Sequence, residues 1–262
     1  MKRKLGLFSY YGFNTLLKHR LQNIKTIGFD STMLWWGDEL AFSEMKPEEI
    51  VNECQKIDLE IENIHIPYAE ANKIWSDNNL DREKLFHKYL NWLNECRKYN
   101  INMMVMHISE GYDIKKTNNI GIIFIKELVE IAEKYNIKIA IENIRNNNLL
   151  FEIFEKIDSK IVGLCFDSSH AWLYENKQNE ILKRLGSKIF AVHFSDNDKK
   201  NDKHWLKYDG LNNWDKMLQV FPKELEHINI SLEVVPKEDK NEIIFLEKAY
   251  KMAREIREKI EC

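Results

Sequence analysis

The sequence predicts an α/β protein folded as a single (β/α)8 barrel, the TIM-barrel architecture, with its active site at the C-terminal ends of the strands. Short apolar runs alternate with helical patterns eight times along the 262 residues. Strict βα alternation implies a parallel sheet with right-handed crossovers, and the length fits the usual barrel of about 250 residues. Because no linker rich in Pro, Gly or Ser interrupts the alternation, residues 1–262 are predicted to form one domain.

Eight β-rich runs are the predicted strands, and several are almost entirely apolar, as is typical of strands buried on both faces. In chain order they are Lys4–Ser9, Phe29–Trp35, Ile61–Ile66, Asn102–Ile108, Ile137–Ile144, Ile161–Asp167, Lys188–Phe194 and Ile228–Val235. Apolar residues at three- and four-residue spacing predict helices between them. The clearest are Glu48–Ile57, Arg82–Tyr99, Ile122–Tyr135, Gln178–Leu185 and a last helix from about Glu238 to the end.

Six consecutive strands end in a residue of a type that binds metal ions. The third to the eighth strands supply, in order, His65, His107, Glu142, Asp167 with His170 just beyond it, His193 with Asp202 and His204 in the following loop, and Glu233. In a barrel the C-terminal strand ends converge on one mouth, whereas in a doubly wound open sheet they would be strung along one edge. The polar strand ends therefore favour the barrel and predict a site at its mouth.

Glu142 and Glu233 are the strongest candidates for function. Each is flanked by apolar strand residues, and a buried carboxylate costs several kcal/mol unless it is paired or bound to a metal. Together with Asp167 and His193, they offer three oxygen donors and one nitrogen. This set suits Mn²⁺, Co²⁺, Zn²⁺ or Fe²⁺ better than Ca²⁺, and Mg²⁺ is kept as a candidate. A lone histidine such as His65 could equally be a hydrogen-bonded core residue.

Two tryptophans, Trp35 and Trp36, end the second predicted strand. Tryptophans at a barrel mouth can form a wall that stacks on the face of a sugar, and they can equally belong to the core. His19 and His87 fall on helical patterns and are predicted to lie on the surface. His227 precedes the eighth strand, which places it at the opposite face of the barrel.

Composition and charge argue against several classes of partner. Lys and Arg number 39 against 42 Asp and Glu, so the net charge of −3 gives no reason to expect nucleic acid or an anionic membrane as a partner. No apolar run approaches the roughly 20 residues that cross a bilayer, and the glycines form neither a dinucleotide nor a P-loop fingerprint. The cysteines contain no C-x-x-C pair, which predicts a reducing, cytoplasmic setting; they are Cys54, Cys96, Cys165 and Cys262.

Seven segments carry a resemblance to a known family. They are IHIPY (Ile64–Tyr68), VMHIS (Val105–Ser109), AIENI (Ala140–Ile144), CFDSSHA (Cys165–Ala171), VHFSDND (Val192–Asp198), DKHWLKYDGLNNW (Asp202–Trp214) and LEVVP (Leu232–Pro236). In this order they resemble the xylose isomerase-like TIM barrels, which include sugar-phosphate isomerases and epimerases as well as endonuclease IV. The resemblance covers essentially the whole chain.

The resemblance implies two alternative ligand sets. In the sugar-acting members, one divalent metal is held by residues like Glu142, Asp167, His193 and Glu233. The two glutamates act there as acid and base, and residues like His170 and His204 contact the substrate. In endonuclease IV, by similarity, three zinc ions would be held by His65, His107, Glu142, Asp167, His170, His193, Asp202, His204 and Glu233. All nine residue types are present, so ligand matching alone does not decide between the branches.

Three departures from endonuclease IV favour the sugar-acting branch. The segment LWWGDELAFSE (34–44) stands where the nuclease has basic, glycine-rich loops that contact DNA. Ala69 follows Tyr68 at the place of a bulkier wedge, and NKIWSDNN (Asn72–Asn79) is similar to the isomerase-type loop. A fourth segment, DGLNNW (Asp209–Trp214), replaces the family's usual P-G-x-G pattern before the tryptophan, which argues against a phosphate-binding role for this loop.

The leading hypothesis is therefore a metal-dependent isomerase or epimerase that acts on a small sugar or sugar phosphate. One of Glu142 and Glu233 would remove a proton from carbon to give a metal-bound enediolate, and the other would return it. His170 and His204 would stabilise the enediolate oxygens. The alternatives are an endonuclease IV-like zinc phosphodiesterase acting at abasic DNA sites, with up to three Zn²⁺, and a related sugar or polyol dehydratase. A homo-oligomer is left open.

Overall fold

A computed structural model describes residues 2–37, 45–173 and 178–261 of the chain. Eight strands form one parallel sheet in the order β7-β6-β5-β4-β3-β2-β1-β8. Their bounds are Leu5–Phe8 (β1), Ser31–Trp35 (β2), Glu60–His65 (β3), Met103–Met106 (β4), Lys138–Glu142 (β5), Val162–Asp167 (β6), Ile189–His193 (β7) and Ile230–Leu232 (β8). Every predicted strand is present. Residues 38–44, most of the LWWGDELAFSE segment, lie outside the described residues, as does Cys262.

The sheet closes between its first and last strands in the hydrogen-bonded order, β7 and β8. Phe194 and Leu232 form a parallel bridge just beyond β7. The backbone N–H of Phe194 donates to Ser231 O at 2.9 Å, and the N–H of Glu233 donates to Phe194 O at 3.3 Å. This closure confirms the (β/α)8 barrel and excludes the open sheet, so all strand ends share one mouth.

Helices connect the strands and cover the outside of the barrel. They are Leu17–Ile27 (α1), Pro47–Lys56 (α2), Asn79–Tyr99 (α3), Asn119–Tyr135 (α4), Asn147–Lys156 (α5), Ser168–Leu173 (α6), Gln178–Leu185 (α7), Trp214–Val220 (α8) and Glu242–Glu261 (α9). Helices α3 and α4 begin three residues before their predicted starts, Arg82 and Ile122, because an asparagine caps each helix. Asn78 and Asn118 accept hydrogen bonds from the N–H groups of the first turns of α3 and α4. Among the described residues, no helix is long and apolar enough to span a membrane.

Two apolar layers stabilise the barrel. The larger one lies between the sheet and the helices and includes the outward-facing strand residues Leu5, Ile64 and Leu164. The smaller one fills the barrel interior with Met103, Val105, Ala140, Cys165 and Ala191. Small side chains dominate the interior, since eight converging strands leave little room there.

Two irregularities in strand register put larger side chains at the lower end of the interior. One lies between β2 and β3 and the other between β6 and β7. The first directs Glu62 inward, where its carboxylate accepts hydrogen bonds from Ser31 and Ser231. The second lets Phe190 pack over Gly163. These groups close the end of the barrel opposite the mouth, so the ligand-type residues lie at an opening with one entrance. The extent of the domain, residues 1–262, stays a prediction.

Candidate active site and metal centre

The structure brings all nine predicted ligand-type residues to the mouth of the barrel. Four of them are the last residues of their strands: His65, Glu142, Asp167 and His193. His107 and Glu233 each lie one residue beyond a strand, β4 and β8. The remaining three are His170 on α6, with Asp202 and His204 in the segment between β7 and α8.

The carboxylate of Glu142 lies at the centre of this cluster. Its Oε2 atom is 3.0 Å from His65 Nε2 and 3.2 Å from His107 Nε2. The same oxygen is 3.3 Å from His193 Nδ1, while Oε1 is 3.1 Å from His170 Nδ1. Burial alone would raise the pKa of Glu142, but the imidazoles, His193 and His107 foremost, hold it well below its usual value. Glu142 is therefore a carboxylate that four imidazoles surround.

The backbone of Asp167 forms two hydrogen bonds with the side chain of Asn143. Asn143 Nδ2 donates to Asp167 O at 2.9 Å, and Asp167 N donates to Asn143 Oδ1 at 2.8 Å. The Oδ1 atom of Asp167 accepts from the N–H of His170 at 2.6 Å and so caps the short helix α6. Its Oδ2 atom is buried without a partner. Burial raises the pKa of Asp167 to about 7, so a cation bound beside this carboxyl would favour its ionised form.

The side chains of His193 and Glu233 lie close together where β7 and β8 close the barrel. His193 Nδ1 is 2.7 Å from Glu233 Oε2, yet the contact lacks hydrogen-bond geometry and both atoms count as unpaired. Burial would raise the pKa of Glu233, but the neighbouring His193 and His204 bring it to about 2. Two ligand atoms that lie close without bonding each other are expected where both face a third atom, such as a metal ion.

Asp202 links two histidines at the edge of the mouth. Its Oδ2 atom is 2.8 Å from His170 Nε2 and 3.1 Å from His204 Nε2, and Ser169 Oγ donates to its Oδ1 at 2.9 Å. Burial would lower the pKa of His204, but Glu233 and Asp202 raise it to about 10. His204 also has a left-handed backbone with φ of 49°, which is costly for a residue with a β-carbon and is typical of functional sites.

The segment that carries Asp202 and His204 is held by a further acid, Asp196. Its Oδ1 atom accepts the backbone N–H groups of Asn197, Leu211 and Asn212 at 2.7, 3.1 and 2.9 Å. Its Oδ2 atom accepts Trp214 Nε1 at 2.7 Å. Sequence reasoning missed this role and that of Asn143, although both residues directly follow or lie near predicted ligands in the motifs AIENI and VHFSDND.

Aromatic rings cover one side of the mouth. The Trp35 ring stacks on His65 with centroids 5.2 Å apart, and the Tyr68 ring stacks on His107 with centroids 4.4 Å apart. Tyr68 is 39% exposed and forms part of the open surface, a role that its place in IHIPY did not reveal. The predicted substrate wall is wrong for Trp36, which is 1% exposed and donates Nε1 to a carboxylate of α3. Adjacent strand residues point to opposite faces, so only Trp35 reaches the mouth.

The residues fit a divalent metal ion. Ligand atoms of Glu142, Asp167, His193 and Glu233 all lie within 4.8 Å of one another. Among the described residues, Asp167 Oδ2, both ring nitrogens of His193 and Glu233 Oε2 are buried without hydrogen-bond partners. Unpaired buried polar atoms are rare in folded proteins because each costs about 1–3 kcal/mol. Asp167 Oδ2, Glu233 Oε2 and one nitrogen of His193 can face a single point, so a cation bound between them would satisfy these three atoms.

Two further groups of ligand atoms adjoin this one. They are His65–His107–Glu142 and His170–Asp202–His204, again with ligand atoms within 4.8 Å of one another. Side chains able to hold a metal therefore extend across the whole mouth.

Comparison with known proteins places this architecture in a family. The model of the xylose isomerase-like TIM barrel family matches residues 21–256. An uncharacterized protein of Sinorhizobium fredii, y4fM, is 33% identical over 91 residues, which are 32% of this chain and 29% of that protein. An uncharacterized protein of Methanocaldococcus jannaschii, MJ1311, is 37% identical over 105 residues, which are 36% of each chain. The chain thus matches these curated relatives over about a third of their length.

Solved structures match over nearly the whole chain. A D-tagatose 3-epimerase-like protein superimposes with a TM-score of 0.77 at 23% identity, covering 98% of this chain and 97% of that one. D-psicose 3-epimerase from Clostridium cellulolyticum H10, with D-tagatose, gives 0.79 at 13% identity, covering 99% and 100%. The IolI protein with a zinc atom gives 0.74 at 17% identity, covering 98% of both chains. At these identities, the likeness shows a shared fold.

Proposed function

The chain belongs to the xylose isomerase-like TIM barrel family, and we propose that it is a metal-dependent isomerase or epimerase of a sugar or sugar phosphate. The observation that carries the proposal is the group of Glu142, Asp167, His193 and Glu233, in which two carboxylates flank one imidazole at the mouth. The similar solved structures include a D-psicose 3-epimerase and a D-tagatose 3-epimerase-like protein, which supports the proposal.

Glu142, Asp167, His193 and Glu233 would hold the ion. A divalent ion bound there supplies Lewis-acid polarisation of a carbonyl and its neighbouring hydroxyl, which acidifies the C–H bond between them. Asp167 is the residue whose charge depends most on the ion, because burial raises its pKa to about 7. The side chain of Asn143 positions Asp167 among the other ligands through two hydrogen bonds to the Asp167 backbone.

The two glutamates differ in their surroundings, which assigns them different parts in proton transfer. Glu142 is 1% exposed and surrounded by imidazoles, whereas the Glu233 side chain is 17% exposed and borders the opening. Glu233 is therefore the better placed to take a proton from the substrate carbon. Glu142, held between histidines that can pass protons to it, is the better placed to return one on the far side or at the adjacent carbon.

His170 and His204 contribute positive charge at the edge of the mouth. Nearby carboxylates outweigh burial and raise the pKa of both imidazoles. Their shared partner Asp202 fixes the ring orientations. Cationic rings held in this way stabilise negative charge as it develops on the substrate oxygens. On the other side, Trp35 and Tyr68 offer apolar faces for the C–H face of a sugar and exclude water.

The test is the exchange of a substrate C–H with solvent deuterium, measured by NMR over a panel of ketoses, aldoses and their phosphates with Mn²⁺, Co²⁺ or Zn²⁺. Glu142→Gln and Glu233→Gln should each reduce exchange by about 10²–10⁴-fold, the usual contribution of a general acid or base. Glu53→Gln is the matched control, since Glu53 is a buried acid on α2 whose contact with Gln22 an amide oxygen can keep. Undiminished exchange in either site variant would refute the two-glutamate mechanism.

A second candidate is a zinc phosphodiesterase that cuts DNA at abasic sites. The observation that favours it is the presence of all three ligand groups across the mouth, because several ions can activate water and clamp a phosphate together. The metal content of the purified chain, with cleavage of an abasic-site oligonucleotide, separates the two. About three zinc ions per chain and cleavage that Asp202→Ala abolishes would favour the phosphodiesterase. One ion per chain and exchange at carbon would favour the isomerase.

A further inference from the structure

Cys165 lies inside the barrel, directly below the layer of metal-ligand residues. It is on β6 two residues before Asp167, so both side chains point inward. Its backbone pairs with Glu142 on β5 and with Ala191 on β7. The side chain is fully buried in the small interior layer. Cys165 therefore has access to the ligand layer from beneath and to no solvent.

The thiol of Cys165 contacts the ligands themselves. Ligand atoms of Glu142, Cys165 and His193 lie within 4.8 Å of one another, and all three residues are buried. The thiol lies against the imidazole of His193. His193 is 0% exposed and neither of its ring nitrogens has a partner with hydrogen-bond geometry. Its two ring nitrogens lie on different edges of the ring, and both are available as metal ligands.

We propose that Glu142, Cys165 and His193 form a second, sulfur-containing metal position below the four-ligand position, and that this position takes thiophilic ions such as Zn²⁺ and Cd²⁺. Carboxylate oxygen, thiolate sulfur and imidazole nitrogen are typical ligands of zinc. The Cys165 proton is released to solvent when the sulfur binds, as for other thiolate sites.

The two positions share Glu142 and His193, so ions at the two positions compete for these residues. Hard ions such as Mn²⁺ and Mg²⁺ prefer oxygen ligands and take the upper position with Asp167 and Glu233. A thiophilic ion is drawn down toward Cys165 and away from those two carboxylates. The identity of the ion therefore selects its height in the barrel, and Zn²⁺ or Cd²⁺ competes with Mn²⁺ for the same two shared ligands.

The experiment is Cd²⁺ binding to the metal-free full chain, followed by the near-ultraviolet absorption of the thiolate–cadmium bond. Wild type should show one such band that saturates at one ion per chain and that Mn²⁺ reverses only in excess. Cys165→Ser should lose the band and bind Cd²⁺ at least about tenfold more weakly, since even outer-shell partners of a metal are worth 10–100-fold. Its affinity for Mn²⁺ should change by less than about twofold, because Mn²⁺ makes little use of sulfur.

Cys96→Ser is the matched control, because Cys96 is a buried cysteine on α3 outside every ligand group found among the described residues. It should keep the band and both affinities. Cys165→Ala, with circular dichroism to verify folding, repeats the test in case serine is poorly tolerated in the interior. A wild type that binds Cd²⁺ without the band, or a Cys165 variant that keeps it, overturns the inference.

This inference rests on the proposed function only through Glu142 and His193, and the two fail separately. If Cd²⁺ and Mn²⁺ both bind but no thiolate band forms, the sulfur position is refuted while metal-dependent isomerisation stands. If the band forms but no substrate C–H exchanges with solvent, the sulfur position stands and the isomerase is refuted.

Discussion

Replacing Asp196 by asparagine should destabilise the segment that carries Asp202 and His204. The carboxylate of Asp196 accepts four hydrogen bonds and has no donor of its own. An amide has only one oxygen, so it can serve either the three backbone N–H groups or the indole of Trp214. Gly210 packs closely against this carboxylate, because a β-carbon there would lie 2.3 Å from Asp196 Oδ1.

The size of the effect follows from these contacts. If the amide oxygen keeps the three backbone bonds, its NH₂ group lies where Oδ2 was, 2.7 Å from Trp214 Nε1. The indole then loses its acceptor, and the new NH₂ group is a second buried donor without one. Each unsatisfied donor costs about 1–3 kcal/mol. The neutral amide recovers part of the cost of burying a charge, since burial raises the pKa of Asp196. We therefore expect Asp196→Asn to lower the free energy of unfolding by roughly 2–4 kcal/mol.

Urea unfolding at neutral pH measures this change, and a double-mutant cycle isolates its cause. Trp214→Phe removes the indole donor, so Asp196→Asn should cost at least about 1 kcal/mol less in that background. Asp198→Asn is the matched control, because Asp198 is partly exposed on the same segment. One of its oxygens accepts two backbone N–H groups, which asparagine also accepts, and its other contact, from Asn201 Nδ2, is long at 3.4 Å. The change should therefore stay within about 0.5 kcal/mol. An Asp196→Asn variant as stable as wild type, or a cycle without coupling, would refute the reasoning.

Three more predictions concern the barrel interior and the metal. Burial raises the pKa of Glu62 above its ordinary 4.5, so the stability that comes from its protonated form is complete below that value and is lost as pH rises through the raised pKa. The free energy of unfolding of Glu62→Gln, measured with urea, should therefore increase relative to that of wild type between pH 4 and pH 7. A difference that does not depend on pH would contradict this. A β-carbon at Gly163 would lie 2.3 Å from the Phe190 ring, so Gly163→Ala should cost about 1–3 kcal/mol of overpacking, which Phe190→Leu should relieve in the double variant. Wild type that a chelator has freed of metal should gain about 2.7 kcal/mol in its free energy of unfolding when Mn²⁺ is added at a hundredfold excess over its Kd. This gain is measured as a higher melting temperature. Asp167→Asn should abolish most of that rise, and an equal rise in the variant would remove Asp167 from the ligands.

The architecture could be predicted because its signals are local. Apolar runs long enough for strands and helical spacing between them follow from which side chains a parallel sheet and its covering helices must bury. Six of the nine ligand-type residues could be predicted for the same reason, since each one ends an apolar run. The other three, His170, Asp202 and His204, were predicted from their places just beyond the sixth and seventh strands. Helix ends were less accurate: the capping role of Asn78 and Asn118 depends on side-chain contacts that hydrophobic spacing does not contain.

Strand alternation explains why Trp35 but not Trp36 reaches the mouth of the barrel. Trp35 and Trp36 are neighbours at a strand end, and alternation places one inside the barrel and the other outside. The same alternation places Cys165 in line with Asp167, directly beneath the ligands. Both positions follow from strand geometry once the strand ends are known to within one residue.

The sequence by itself determined the barrel, its mouth and the nine side chains that line it, because parallel strands in a closed sheet must bring their C-terminal ends together. Only the tertiary structure decided how those side chains are shared: Glu142 among four imidazoles, Asp202 between His170 and His204, and Cys165 against His193. These contacts join residues from different strands and loops. Their geometry depends on register shifts, caps and loop paths that are fixed by packing across the whole barrel rather than by any local pattern.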